Sequence, residues 1–332
     1  MPNLATHYLC GLEAIKNIES SRCRELIQQH QNVFNLGVQG PDILFYYEVW
    51  PWRKKSVEPN IGTTMHSSKV NMVFRALVDY ILLQKGYARD VLSVYLMGFV
   101  SHNFMDGLGH PYIFYRSGFN TPEADNENLF LYYHRRFEVA IDVLLCKRYL
   151  DKQVHQINCA ELLEISGTEL ELIGAMYEST VNSVFKANIH KKKVKRAVKE
   201  MLLVEKLLRD PHGIKKKVLE FIDQLIYKFP LYSSLIYPLE VTDGLDYLNT
   251  SGSQWCMPFD NTIKSTKSFM ELFNEACKKT QVFCDLLYSG IFLDSPALAH
   301  TLELLGNNSY TSGINCDTPA IFKYSNIIFE KS

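Results

Sequence analysis

The stretch Asp90 to Val100, "DVLSVYLMGFV", is apolar almost all the way round any helix drawn through it. Such a helix is stable only when its whole circumference is buried, so the rest of the chain has to wrap around it. The chain can do so: 332 residues, 47% of them apolar, supply a sizeable core. No run of eighteen apolar residues is present, so the segment reads as a core helix and not as a membrane span. Most of the remaining sequence has apolar residues at three- and four-residue spacing, which predicts helices near 20–30, 68–85, 89–106, 126–150, 168–188, 191–209, 212–228 and 264–290. In "VNMVFRALVDYILLQK", Val70, Val73, Phe74, Leu77, Ile81 and Leu82 share one face. Alternating, strand-like patterning is scarce, "IFKYSNIIF" near the C-terminus being the best example. The fold class is therefore all-α. Clusters of Pro, Gly, Asn and Ser mark loops at 51–65, 114–125, 249–262 and 306–320. No flexible linker divides the chain, which suggests one helical domain over 1–291 and a C-terminal segment, 292–332, of unassigned role.

The net charge of −1 names no partner. Residues 186–217 are an exception, with twelve Lys or Arg against three acids. This is either a solvated helical face or an attraction to anionic lipid or nucleic acid. The opening "MPNLATHYLCGLEAIKNIES" has no basic segment followed by an apolar one, so a cytoplasmic protein is expected, at most peripheral to the inner membrane face. The eight cysteines are scattered without a CxxC pair, which disfavours thiolate zinc sites and leaves free buried thiols as the expectation.

The apolar run leads into "SHNFMDGLGHPYI", which places His102, Asp106 and His110 at i, i+4 and i+8. On a helix these three line one face, and the outer two stand roughly 12 Å apart along it. That is too far for one zinc ion with ligands at about 2 Å, so the spacing suggests more than one metal with Asp106 free to bridge. Pro111 is expected to stop the helix, with Gly107 and Gly109 letting the chain bend. A buried aspartate costs several kcal/mol unless it is paired, hydrogen-bonded or metal-bound; a plain His–Asp hydrogen bond in the core would also satisfy it. A second helical segment, "LYYHRRFEVAI", repeats the device with His134 and Glu138 at i and i+4. This is a two-ligand platform for zinc, or else a pair on a charged surface beside Arg135 and Arg136. Three isolated residues complete the inventory. His66 precedes a helix that Ser67 and Ser68 can cap, Asp42 follows a Gly-Pro turn, and His7 lies near the start.

In this order, "TH", "GPD", "MH", "GFVSHNFMDGLGHPYI" and "HRRFE" resemble the bacterial zinc-dependent phospholipase C family, to which the trinuclear-zinc single-strand nucleases are related. The motifs span residues 1 to about 140, with an echo at "SQWCMPFDNTIKSTKSF". The resemblance implies a compact all-α fold and two to three zinc ions. One would be held by Asp42, His66, His102 and Asp106, a second by His110, His134 and Glu138, and a third by His7 sharing Asp106. Secreted members complete the third site with an N-terminal Trp, whereas this chain begins Met-Pro.

The resemblance implies hydrolysis of a phosphodiester, foremost the glycerol–phosphate bond of a phospholipid, by a metal-activated water. Asp42 doubles as the acceptor of its proton. A nuclease or other soluble phosphoester hydrolase on the same metals, and a metal-binding protein without turnover, are the alternatives. A phosphohydrolase of the HD type is disfavoured because no His-Asp dipeptide occurs, and a di-iron site because ExxH-spaced helical glutamates are missing. The aromatic run "FYYEVWPW", Phe45 to Trp52, would cup a quaternary ammonium head group, stack on a base, or simply pack a loop.

Overall fold

In the computed structural model, which describes residues 4–50, 60–121, 127–227, 229–293 and 297–330, the apolar run is the middle of a long central helix. The helices in chain order are α1 (Leu4–Lys16), α2 (Ser21–Gln29), α3 (Gln31–Gly37), α4 (Ile61–Ser67), α5 (Val70–Leu82), α6 (Tyr87–Ser117) and α7 (Glu127–Leu150), followed by α8 (Cys159–Leu162), α9 (Gly167–Phe185), α10 (Lys191–Leu208), α11 (Ile214–Ile226), α12 (Phe269–Phe292) and α13 (Ala297–Leu305). Every residue of α6 from Val91 to Val100 is buried. α3 and α12 pack most closely on it, with α1, α5, α7 and α9 around the rest of its circumference. The chain is all-α apart from one small antiparallel hairpin, β1 (Trp255–Met257) with β2 (Asp260–Ser265). No helix among the described residues is long and apolar enough to cross a membrane.

The structure corrects several expectations. Pro111 does not end the central helix, which continues to Ser117 and closes at Gly118, whose N–H bonds back to Phe114. Proline removes one backbone bond and crowds the carbonyl of residue 107. Residue 107 is a glycine, and the loop glycine Gly313 seats against its carbonyl; a Cβ at Gly313 would stand 2.3 Å from that oxygen. Residues 61–65, read as the end of a loop, belong to helix α4, with Asn60 accepting from the Gly62 N–H as its cap. Residues 51–59 and 122–126 lie outside the described residues. Ser67 and Ser68 bond back to Thr63 and Thr64 and do not cap α5. On α5, Val78 faces the core and Leu82 is exposed.

The 249–262 segment contains the hairpin, and α12 starts at Phe269 instead of 264 because β2 takes 260–265 and a Ser268–Glu271 capping box sets the helix start. "IFKYSNIIF" is no strand: Lys323 and Tyr324 both donate to the Pro258 carbonyl, and Ile328–Glu330 is a 3-10 turn. A strand would need a ladder partner, and this segment crosses the hairpin turn instead. The C-terminal segment packs on the same core through Leu305, Tyr310 and Ile328. All eight cysteines are free, five of them buried.

Candidate metal centre

Five elements aim side chains at one end of the buried half of α6. Asp42 rides on a 3-10 turn, Gly40–Tyr46, that Gly40 presses against α6. Gly40 has φ +51°, and a Cβ there would lie 2.5 Å from Cδ2 of His102. α4 supplies His66, α6 supplies His102, Asp106 and His110, and α7 supplies His134 and Glu138. α1 supplies His7 from its first turn.

These side chains form three groups whose ligand atoms lie within 4.8 Å of one another: Asp42, His66 and His102; His7, His102 and Asp106; His110, His134 and Glu138. In the first, Nε2 of His66 is 2.9 Å and Nε2 of His102 3.8 Å from Oδ1 of Asp42. Asp106 faces both outward groups. Its Oδ2 is 3.1 Å from Nε2 of His102, and its Oδ1 is 3.2 Å from Nε2 of His7 and 3.6 Å from Nδ1 of His110. In the third group Oε1 of Glu138 stands 3.1 Å from Nε2 of His134 and 3.4 Å from Nε2 of His110. All eight sequence-derived residues thus meet, and His102 and His110 fall in different groups with Asp106 between them. The other five histidines lie outside these groups. A small cavity of about 10 Å³, room for one water-sized sphere, is lined by His7, Asp106, His110 and Glu138.

The arrangement fits zinc. Two ligand atoms about 2.0–2.1 Å from one tetrahedral ion stand roughly 3.3 Å apart, the scale of the contacts above. Three histidines have Nδ1 tied to a backbone carbonyl: His66 to Gly62 at 2.7 Å, His102 to Val38 at 3.0 Å and His110 to Tyr310 at 2.9 Å. That contact places the ring proton on Nδ1 and leaves the Nε2 lone pair facing the group, the usual orientation of metal-binding imidazoles. Buried Nε2 of His102 and Nε2 of His7 make no hydrogen bond, a cost that a cation at the centre would remove.

Charge tells the same story. Burial works to raise the Asp106 carboxyl, but His110, His102 and His7 together hold it well below the usual range. Burial likewise opposes ionisation of Glu138, yet His134 and His110 bring it down to about 2. His110, whose burial disfavours the charged form, is lifted to about 10 by Asp106 and Glu138. A fixed anionic cage of this kind holds protons where it has no metal ion.

Two contributors escaped the sequence reading. Asp142 lies one turn beyond Glu138 on α7 and is wholly buried. Its carboxylate accepts from the N–H groups of Ala5 (3.2 Å) and Thr6 (2.8 Å), the Thr6 hydroxyl, and the Tyr237 hydroxyl (2.6 Å). It therefore pins the start of α1, and with it His7. The signal was present, since His134, Glu138 and Asp142 repeat the i, i+4, i+8 spacing of the first motif. Tyr310 carried no such signal. Its N–H donates to the His66 carbonyl at 2.9 Å, its carbonyl accepts from His110, and its ring lies 5.0 Å from that of His66.

Beside the centre opens a cavity of about 660 Å³. Phe45, whose ring is 5.4 Å from that of His66, forms the near wall, with Arg135, Cys159, Glu205 and Tyr237 further in. Burial pushes Glu205 up to about 7 against the hydrogen bond it accepts from Tyr46 at 3.2 Å. Of the aromatic run, Pro51 and Trp52 lie outside the described residues.

A helical body in which five elements bring five histidines and three carboxylates together beside the central helix is an all-α protein with the clustered donor set of a metal centre. The comparisons take this further. The family model described as Zinc dependent phospholipase C matches residues 6–203, more than half the chain and every residue of the three groups, and the chain belongs to that family. No curated protein and no solved structure matches the chain.

Proposed function

We propose that this protein hydrolyses the glycerol–phosphate bond of a phospholipid at a centre of two to three zinc ions. The single observation that carries the reading is the set of histidines whose Nδ1 atoms are locked on carbonyls, so that Nε2 of His66, His102 and His110 converges with Asp42, Asp106 and Glu138. Asp42, His66, His102 and Asp106 would hold one ion, His110, His134 and Glu138 a second, and His7 with Asp106 a third. Zinc, when bound, acidifies water to near neutrality and supplies positive charge to phosphoryl oxygens. Oδ1 of Asp42, 2.9 Å from Nε2 of His66, would face the same ion as that nitrogen, and its other oxygen would take the proton from the attacking water. Arg135, on the cavity wall next in the chain to His134, offers its guanidinium to the substrate phosphate. Phe45 supplies an aromatic face to the head group or the glycerol side, and the mostly apolar walls exclude bulk water.

The test begins with zinc content by elemental mass spectrometry, followed by turnover of a short-chain phosphatidylcholine and a short oligonucleotide. Two to three zinc per chain with release of diacylglycerol supports the proposal. One zinc or none, or cleavage of the oligonucleotide alone, overturns it. Asp42→Asn should lower kcat by roughly 10²-fold or more, as loss of a positioned base does. Full zinc with full rate in that variant would remove Asp42 from the proton step.

A further inference from the structure

α11 is mounted inside out. A surface helix normally buries its apolar stripe. Here the buried side is polar: Asp223 is fully enclosed and accepts from the Ser233 N–H at 2.7 Å, while Lys216 donates to the carbonyls of Ser233 and Ile236 at 3.0 and 2.9 Å. The opposite side carries Ile214, Val218, Phe221 and Leu225 within an arc of about 60° at 100° per residue, broadened by Ile222 and Ile226. Phe221, Leu225 and Ile226 are 64%, 72% and 64% exposed. Contiguous apolar surface of this kind marks a contact site and not a monomer's ordinary exterior.

The surroundings name the occupant. Lys217 borders the stripe on one side, Lys215 on the other donates to the carbonyls of Leu207 and Arg209 at 2.8 and 2.9 Å, and Lys206 and Arg209 precede α11 at the end of α10, in the strongly basic part of the sequence. Pairing two copies through this face would bring like charges together, and nucleic acid has no aliphatic surface to bury six such side chains. An apolar stripe edged by lysines matches an anionic lipid interface, where such a helix lies in the plane with its apolar face among the acyl chains. Position agrees. Asp210 caps the start of α11, accepting from the N–H groups of Ile214 and Lys216 at 3.1 and 2.8 Å, and lines the 660 Å³ cavity that reaches Phe45. α11 also lies beyond the family-matched segment, which ends at residue 203.

We infer that the apolar face of α11 seats this protein on an anionic phospholipid surface and sets the cavity mouth against it. The inference rests on the phospholipase reading for the direction of substrate entry, but the docking itself is measured without turnover. The full-length, zinc-loaded protein is floated in the cold with vesicles of phosphatidylcholine and phosphatidylglycerol. The double variant Phe221→Ser, Leu225→Gln should bind at least roughly tenfold more weakly. The variant Lys217→Gln should lose affinity for these vesicles and gain none for pure phosphatidylcholine. Both should keep wild-type zinc content and wild-type turnover of a water-soluble short-chain diester. Failure of the wild type to bind, equal binding of wild type and the Phe221/Leu225 variant, or a wild-type dimer that this variant dissociates would each overturn the inference. Vesicle binding through α11 with no hydrolysis of any phosphodiester would uphold the docking surface and overturn the proposed function.

Discussion

Replacing Asp142 by asparagine tests whether α1 is held for the sake of His7. The carboxylate sits at the start of that helix and accepts four hydrogen bonds, two per oxygen: Thr6 N–H and hydroxyl on Oδ1, Ala5 N–H and Tyr237 hydroxyl on Oδ2. Burial pushes it up to about 6 despite these donors, so it is a carboxylate at pH 7.5. Asparagine keeps one acceptor oxygen and turns an amide NH2 toward the other two donors. Two buried donors then lack partners, at about 1–3 kcal/mol each, so the variant should lose about 2–6 kcal/mol in urea denaturation of the zinc-loaded protein. The lost contacts fall on the first turn of α1, where His7 has 1% exposure and Nε2 3.2 Å from Asp106. The ion shared by His7 and Asp106 should therefore leave first, and elemental analysis should show one zinc fewer per chain. Thr6→Val, which removes only the hydroxyl donor, should cost about 1 kcal/mol and keep the full zinc count. If Asp142→Asn holds wild-type zinc and stays within about 0.5 kcal/mol of wild type, a range typical of surface changes, Asp142 does not position His7.

Two further outcomes follow from the cavity and the turn. Glu205 has an ordinary value of 4.5 and is pushed up to about 7; between these the folded chain keeps a proton that the unfolded chain has released. Its contribution to stability is whole below about 4.5 and is lost as pH rises through 7, by up to roughly 3 kcal/mol. Glu205→Gln should match wild type at pH 4 and exceed it at pH 8 in urea denaturation, and identical pH slopes would refute this. Gly40→Ala combines φ +51° with a Cβ 2.5 Å from His102; it should cost about 2–4 kcal/mol and reduce zinc content by displacing His102 and Asp42, and a crystal structure with both side chains unmoved would refute it.

The parts of the centre that were legible in the sequence share one helix. His102, Asp106 and His110, like His134 and Glu138, are fixed relative to one another by the 3.6-residue period, so their spacing alone announces a common face. Asp42, His66 and His7 come from separate elements, and only the order of motifs joined them. Tyr310 was not legible at all, because its work is done by its backbone N–H and carbonyl, which every residue carries. Pro111 misled because the rule against proline in helices weighs one residue, while the relief comes from Gly107 and Gly313, the latter some two hundred positions away. The hairpin at 255–265 is too short for alternation to show. α11 is the most instructive case. Its periodicity predicted an amphipathic helix correctly, yet periodicity says that one face is apolar and not which face meets the protein. The choice was made by Asp223 and Lys216, whose partners lie in the Ser233–Leu235 turn and at Ile236.

Fold and metal are coupled through these same contacts. The wall of the centre is made by α1, the 3-10 turn of Asp42, α4, α6 and α7, and the loop of Tyr310 ties α4 to α6 through His66 and His110. Without a cation, His7 and His102 bring buried nitrogens to the centre with no hydrogen-bond partner, and the cage balances its charge by holding protons on His110. With one, each lone pair has an acceptor and the carboxylates a counter-charge. Since the unfolded chain holds no such cage, the affinity of the centre adds directly to stability, and each ion adds more the further its free concentration exceeds its dissociation constant. The start of α1 depends on both Asp142 below and a cation above, which is why the zinc that His7 shares is the one whose loss should report first on any loosening of the fold.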